Sequence, residues 1–231
     1  MERLSKPRLS YNDPYYLFYK TLLPPLKTAV EQHAKGDVLD IGCGNKPYEP
    51  WFVGRVTSYV GCDIVQSDQA KVDILSPANA IPLPDKSKDT VFSTQVIEHV
   101  ADHNGLLREA FRILRPGGVA IVSGPMYWEH HEEPYDFFRF TRYGFEHIFK
   151  EAGFTDIQLI PNGGKWALTG QMLQNNFRSS MTGKSFGRRL FKGVYWLFRL
   201  KWVFHALFGW LDRRDPDYST TLNWVVVARK P

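Results

Sequence analysis

Hydrophobic residues in this chain fall in short, dense runs separated by polar and glycine-rich punctuation. Val38, Leu39 and Ile41 make one such run, the pattern of a strand covered on both faces of a parallel sheet. Similar stretches at Thr57–Cys62, Thr90–Thr94 and Val119–Ser123 predict further strands, with a shorter one at Lys71–Ile74 that has Asp73 at its end. The period then changes. Leu106, Leu107, Ala110, Phe111, Ile113 and Leu114 recur at helical spacing and predict a helix over Ala101–Leu114, ended by Arg115-Pro116-Gly117-Gly118. Thr141 is placed to cap a helix through Phe149, and Glu151-Ala152-Gly153-Phe154 ends it before a sixth strand at Asp156–Ile160. A last strand is expected at Thr221–Ala228. Strand, helix and strand in alternation predict an α/β chain with a doubly wound parallel sheet. Ligands of such sheets sit beyond the carboxyl ends of the strands, at the switch point.

Residues 1–35 read as an N-terminal helical arm or lid. Tyr15, Tyr16, Leu17, Phe18 and Leu22 predict a short helix, broken by Pro24 and Pro25. A second helix is expected from Pro25 to Ala34, with proline in its first turn. The aromatics of this arm suit a lid and equally suit the cover of a sheet edge.

The stretch GDVLDIGCGNKPYEPWFVGRVTSYVGCD, from Gly36 to Asp63, carries the first chemistry. Gly42 and Gly44 follow the first strand and permit positive φ and close approach of a ligand. Amides in such a turn suit an anionic or strongly polar group, and an acid closing the next strand suits a pair of hydroxyls. Asp63 stands nineteen positions after Gly44, about where a ribose-binding acid belongs. A dinucleotide fingerprint would need glycine at position 47, where Pro47 stands. That disfavours an NAD-dependent oxidoreductase and favours an adenosyl ligand without phosphates.

VLDIGCG followed by YVGCD resembles the first two motifs of class I S-adenosylmethionine-dependent methyltransferases. Two later blocks strengthen the likeness: the turn LPDKSKDTVF with Gln95-Val96-Ile97-Glu98-His99-Val100, and LREAFRILRPGGVAIVSGP. Asn45-Lys46-Pro47-Tyr48 together with HHEEPYDFFRFT, from His130 to Thr141, is similar to the bacterial type 11 subgroup. The resemblance spans about residues 36 to 155. It implies a seven-stranded, mostly parallel sheet with helices on both faces and an antiparallel last strand. It also implies S-adenosyl-L-methionine as cofactor. Asp40 and Gln95 would serve its amino-acid end, Gly42 and Gly44 the close backbone approach, Asp63 the ribose, and Asp73 with the Ile74 backbone the adenine. The expected domains are a methyltransferase core over 36–161 and 219–231, with an insertion over 162–218.

The loop Tyr127–Thr141 gathers titratable and aromatic groups after the fifth strand. Read as an acceptor pocket, it offers His131 and Glu132 as catalytic groups and His130, Tyr135 and Arg139 as acceptor contacts. Read structurally, Asp136 and Arg139 pair internally while the aromatics pack. A metal site is not expected, since adjacent histidines rarely point the same way and no spaced ligand cluster supports one. For Glu98-His99 the readings are that His99 touches the acceptor or takes a proton and, preferred, that it makes a hydrogen bond at the helix start inside the fold.

The formal charge is +5 and unevenly spread. Ile157 to Leu211 contains no acid, yet it holds Lys165, Arg178, Lys184, Arg188, Arg189, Lys192, Arg199 and Lys201. Within it, LFKGVYWLFRLKWVFHALFGWL is interrupted by Lys192, Arg199 and Lys201, so it lacks the apolar length of a membrane span. Trp196, Phe198, Trp202 and Trp210 beside these bases suit a substrate cap, a dimer face or weak peripheral contact with a membrane. Two cysteines, Cys43 and Cys62, fit packing residues of a reducing compartment. No apolar signal core opens the chain. A cytoplasmic protein, peripheral at most at the inner membrane face, is expected. The acceptor is expected to be a small molecule, a lipid or a glycan, methylated at oxygen. Nucleic acid is not expected, because Gln95-Val96-Ile97-Glu98 stands where an Asn-Pro-Pro-Tyr-like segment would be. The alternative function is a non-catalytic, membrane-associated protein that binds the cofactor as a partner of other enzymes.

Overall fold

The computed structural model describes residues 9–181 and 185–231. The first eight residues of the expected arm, and Lys184 of the basic stretch, lie outside the described residues. The chain forms two compact units. One comprises Pro24–Ile160 with Asn223–Pro231; the other comprises Pro161–Leu222 with the described residues up to Leu23.

The first unit is built on the expected sheet. Its strands are β1 (Asp37–Ile41), β2 (Ser58–Asp63), β3 (Ile74–Leu75), β4 (Lys88–Thr94), β5 (Leu114–Pro125), β6 (Thr155–Asn162) and β7 (Asn223–Arg229). Their order is β3-β2-β1-β4-β5-β7-β6. β1 pairs parallel with both β2 and β4, β2 with β3, and β4 with β5, while β7 runs antiparallel to β5. The order reverses between β1 and β4, which puts the switch point at the carboxyl end of β1. Leu39, Ile41, Val91, Ala120, Val122 and Val226 are buried in one apolar cluster, which accounts for the near-continuous apolar runs in their strands.

Helix boundaries follow local chemistry. α2 (His103–Ile113) begins two residues later than expected, because Asp102 caps it by accepting from the Gly105 amide at 2.8 Å. α3 (Arg142–Glu151) is capped as expected, with Thr141 Oγ1 accepting from the Gly144 amide at 3.0 Å. Arg115-Pro116-Gly117-Gly118 lies within the opening of β5, where the pairing with β4 shifts register between Lys88 and Thr90.

Two expectations change. The third strand is Ile74–Leu75, not Lys71–Ile74, because only Cys62↔Ile74 and Asp63↔Leu75 pair with β2. Asp73 therefore precedes the strand. The two helices expected around Pro24-Pro25 are one helix, α1 (Tyr16–His33). The prolines withhold donors only from the carbonyls one turn earlier. Leu17 and Leu22 are buried on one side of them and Leu26 and Val30 on the other, so burial holds both halves helical.

The second unit consists mainly of α4 (Lys165–Ser180), α5 (Phe186–Leu197) and α6 (Leu200–Arg214). Arg199, at φ 49°, breaks the chain between the last two. The interior of this unit is partly polar. Gln171, Gln174, Asn175 and His205 are buried, and both glutamines donate to the Pro14 carbonyl, at 3.0 and 2.7 Å. No described helix is long and apolar enough to cross a membrane.

Candidate functional site

The glycine turn leaves β1 at the switch point. Gly42 has φ 74° and Gly44 φ 50°, a region that favours glycine. A Cβ at Gly42 would lie 2.3 Å from Val96 Cγ2, so this glycine answers to packing as well as to any ligand. Cys62 O accepts from the Gly42 and Cys43 amides at 2.8 and 3.1 Å, which ties the turn to β2. Asp40, one residue inside β1, is buried, and its Oδ2 accepts from the Tyr59 hydroxyl at 2.5 Å. Burial pushes the Asp40 carboxyl up to about 7.

Asp63 ends β2 as expected, and its Oδ2 accepts from the Gly44 amide at 3.0 Å. Asp73 accepts from the Gly61 amide at 2.7 Å and from Lys46 Nζ at 2.6 Å. One of its oxygens thus fastens the edge of β2, and Ile74 follows it in register with Cys62. Gln95 stands at φ 55° just beyond β4. Its Nε2 donates to Ser123 Oγ at 3.0 Å and Asn223 Oδ1 at 2.9 Å, joining the ends of β5 and β7. Asp40, Gly42, Gly44, Asp63, Ile74 and Gln95 therefore come together along one edge, from four adjacent parallel strands.

The loop after β5 is organised by Arg139. Its Nε donates to Trp128 O, its Nη1 to Asp136 Oδ1 and Phe138 O, and its Nη2 to Glu129 O and Asp136 Oδ2. The guanidinium has five N–H donors, and all are engaged within the loop. The arrangement matches the internal Asp136–Arg139 pair weighed from sequence. Those hydrogen bonds hold Asp136 well below the usual carboxylate range. His130, Glu132 and Tyr135 are exposed, and Glu132 has φ 53°. His131 is half-buried, and burial first, then the neighbouring His99, lowers its pKa.

The loop brings His131 against Glu98-His99, with the two imidazole rings edge to face at 4.7 Å. Glu98 is fully buried, neither carboxylate oxygen has a hydrogen-bond partner, and burial pushes the carboxyl up to about 8. The hydrogen bond inside the fold preferred for this pair falls to His99, not to the carboxylate. His99 Nδ1 meets Tyr135 O at 2.9 Å. Sequence reasoning also missed Lys46, whose side chain is buried and paired with Asp73. The signal was a lysine two residues after the second glycine of the turn, directly before Pro47.

Residues 39–122 match the methyltransferase domain family of type 11. A probable S-adenosylmethionine-dependent methyltransferase of Mycolicibacterium smegmatis is 39% identical over 97 residues, 38% of this chain and 38% of that protein. A malonyl-[acyl-carrier protein] O-methyltransferase of Yersinia pestis is 30% identical over 101 residues, 40% of this chain and 38% of its own length. The matches thus span well under half the length of these relatives. The crystal structure of the [4+2]-cyclase SpnF superposes with a TM-score of 0.60 at 17% identity, over 96% of this chain and 85% of that one. That similarity concerns the fold alone.

Proposed function

Residues 39–122 form a class I methyltransferase domain of the type 11 group, and from that premise we propose that the chain transfers a methyl group from S-adenosyl-L-methionine to an oxygen of a small-molecule, lipid or sugar-like acceptor. One observation carries the reading. Asp40, Gly42, Gly44, Asp63, Ile74 and Gln95 line the carboxyl edge of β1, β2, β3 and β4 at the switch point. The donor set fits an adenosyl amino acid: carboxylates for hydroxyls and an ammonium, a glycine turn for close approach, and Pro47 where a pyrophosphate would need glycine.

Asp40 and Gln95 would hold the amino-acid end, Asp63 the ribose hydroxyls, and Asp73 with the Ile74 backbone the adenine. When bound, the cofactor supplies a methyl carbon on a cationic sulfur, open to in-line displacement. The protein's share is to align the acceptor and exclude water. His131, kept neutral by burial, takes the proton of an acceptor hydroxyl. Glu132, His130 and Tyr135 lie on the same loop and meet the acceptor. The O-methyltransferase relative supports oxygen as the atom methylated.

In the second unit, Trp196, Leu197 and Phe198 are 64%, 76% and 62% exposed beside Arg199 and Lys201. This tip supports weak peripheral contact with an anionic lipid surface.

The test is calorimetry with S-adenosylhomocysteine, followed by transfer assays with hydroxyl and carboxyl acceptors presented free, on lipids and on glycans. We expect binding of S-adenosylhomocysteine in preference to NAD. His131→Ala should keep that affinity and lower the transfer rate. Preference for NAD, or no methyl transfer to any oxygen acceptor, would overturn the reading.

A further inference from the structure

Three side chains outside the cofactor edge converge in a way that no neighbouring group explains. Glu98, His99 and His131 each offer one ligand atom, and these atoms lie within 4.8 Å of one another. Glu98 has no exposed surface, and both of its carboxylate oxygens lack hydrogen-bond partners. A buried, unpartnered carboxylate is costly, and the fold retains one only where something satisfies it. Arg139 does not serve, since Asp136 and three loop carbonyls take all its donors.

The histidines are held as ligands are held. His99 Nδ1 is 2.9 Å from Tyr135 O, and His131 Nδ1 is 3.2 Å from Glu129 O. A carbonyl oxygen only accepts, so in each neutral ring Nδ1 carries the proton and Nε2 keeps its lone pair. A backbone carbonyl on the far nitrogen is the usual outer support of a metal-bound imidazole. His99 Nε2 already stands 3.9 Å from Glu98 Oε1. Ligand atoms of a tetrahedral zinc site are separated by roughly 3.3 Å, so a small side-chain rotation closes the set.

We propose that Glu98, His99 and His131 bind one divalent first-row transition-metal ion, of the zinc or cobalt type. Two imidazoles and one carboxylate suit such an ion better than calcium or magnesium, which prefer all-oxygen shells. Three protein ligands leave a position open for water or an acceptor oxygen. This site does not depend on the methyl-transfer reading. Where both hold, the metal acidifies an acceptor hydroxyl on the open position, its proton passes to solvent water, and His131 serves as ligand in place of base.

The experiment titrates the full chain, stripped with a chelator, with Co²⁺ and then Zn²⁺, followed by visible absorption and calorimetry. One equivalent of Co²⁺ should bind with visible d–d bands, and Zn²⁺ should displace it. Glu98→Gln keeps the shape of a buried side chain, and His99→Gln and His131→Gln alter partly exposed ones. Each should weaken Co²⁺ binding more than about 10-fold, the scale at which even outer-shell changes act. His130→Gln removes an exposed neighbour outside the set and should keep wild-type affinity. Absence of Co²⁺ binding would mean that Glu98 is satisfied by a proton alone, and would overturn the site. Binding that survives all three ligand variants, or that His130→Gln abolishes equally, would assign the metal to exposed loop histidines and overturn it too.

Discussion

Gly44 donates its amide hydrogen to Asp63 Oδ2 across 3.0 Å, so the acid proposed for the ribose also fastens the turn that approaches the cofactor. The two roles separate by substitution. Asp63→Asn keeps an acceptor for Gly44 but loses the charge, and should lower S-adenosylhomocysteine affinity with little change in melting temperature. Asp63→Ala should lower both, with a binding loss of roughly 1.5–3 kcal/mol, the worth of a hydrogen bond to a charged group. Calorimetry and a thermal scan read the two effects. Unchanged affinity in folded Asp63→Ala would remove Asp63 from the ribose site.

The turn is also sensitive to a single methyl group. Gly42 has φ 74°, and a Cβ there would sit 2.3 and 2.8 Å from the two γ-carbons of Val96. Gly42→Ala should cost roughly 2–4 kcal/mol, from left-handed backbone strain and overpacking together. Adding Val96→Ala should recover the packing part only. A double-mutant cycle in urea measures this, and an absent coupling would show that Val96 does not set the glycine requirement.

Asp40 makes stability depend on pH in a known direction. Burial raises its carboxyl from the ordinary 3.8 to about 7. Across that window the folded chain holds a proton that the unfolded chain has released. Stability therefore falls as pH rises from about 4 to about 7, and then levels off. The drop is at most roughly 4 kcal/mol. Asp40→Asn keeps an acceptor for Tyr59 and removes the titration. The wild-type curve minus the Asp40→Asn curve, from denaturant melts at each pH, should carry this slope; a flat difference would contradict the burial argument.

Arg139 is expected to act through the loop. Its removal leaves the Asp136 carboxylate, 3% exposed, without its bidentate partner. Arg139→Ala should therefore cost about 3 kcal/mol, within the range for breaking a buried pair. Arg139→Ala with Asp136→Ala should cost less than the two single losses together. A rise in acceptor KM with stability intact would instead put Arg139 on the acceptor.

The basic aromatic tip calls for a different measurement. The chain should sediment with anionic vesicles at low ionic strength and be partly released by salt, since screening weakens only the electrostatic share. Trp196→Ser with Phe198→Ser should abolish the salt-resistant part. Trp fluorescence unmoved by lipid, with no co-sedimentation, would leave these side chains to a cap or a dimer face.

Much of the fold was legible because its signals are local. The apolar runs of β1, β4 and β5 mark strands covered on both faces, and Thr141 with Gly144 is a capping pair three residues apart. The glycine turn, Asp40, Asp63 and Gln95 follow from motif order, since Asp40 stands one residue inside a strand end and the others at or just past one. Short-range pattern was less reliable where burial outweighed it. Two prolines predicted a break that buried leucines on either side of them override, and β3 is set by its pairing with β2 rather than by its own sequence.

The sequence alone determined the alternation of strands and helices and the residues at the carboxyl edge, because both depend on backbone preference and on position along a strand. Tertiary structure alone decided what those side chains and the loop do with their polar groups. It spent all five donors of Arg139 on its own loop, paired Lys46 with Asp73, and carried His131 to a buried, unpartnered Glu98 thirty-three positions earlier. Spacing could not show these pairings, because a hydrogen bond or a ligand set depends on distance in space, and the β5-to-α3 loop sets that distance only once the sheet has formed.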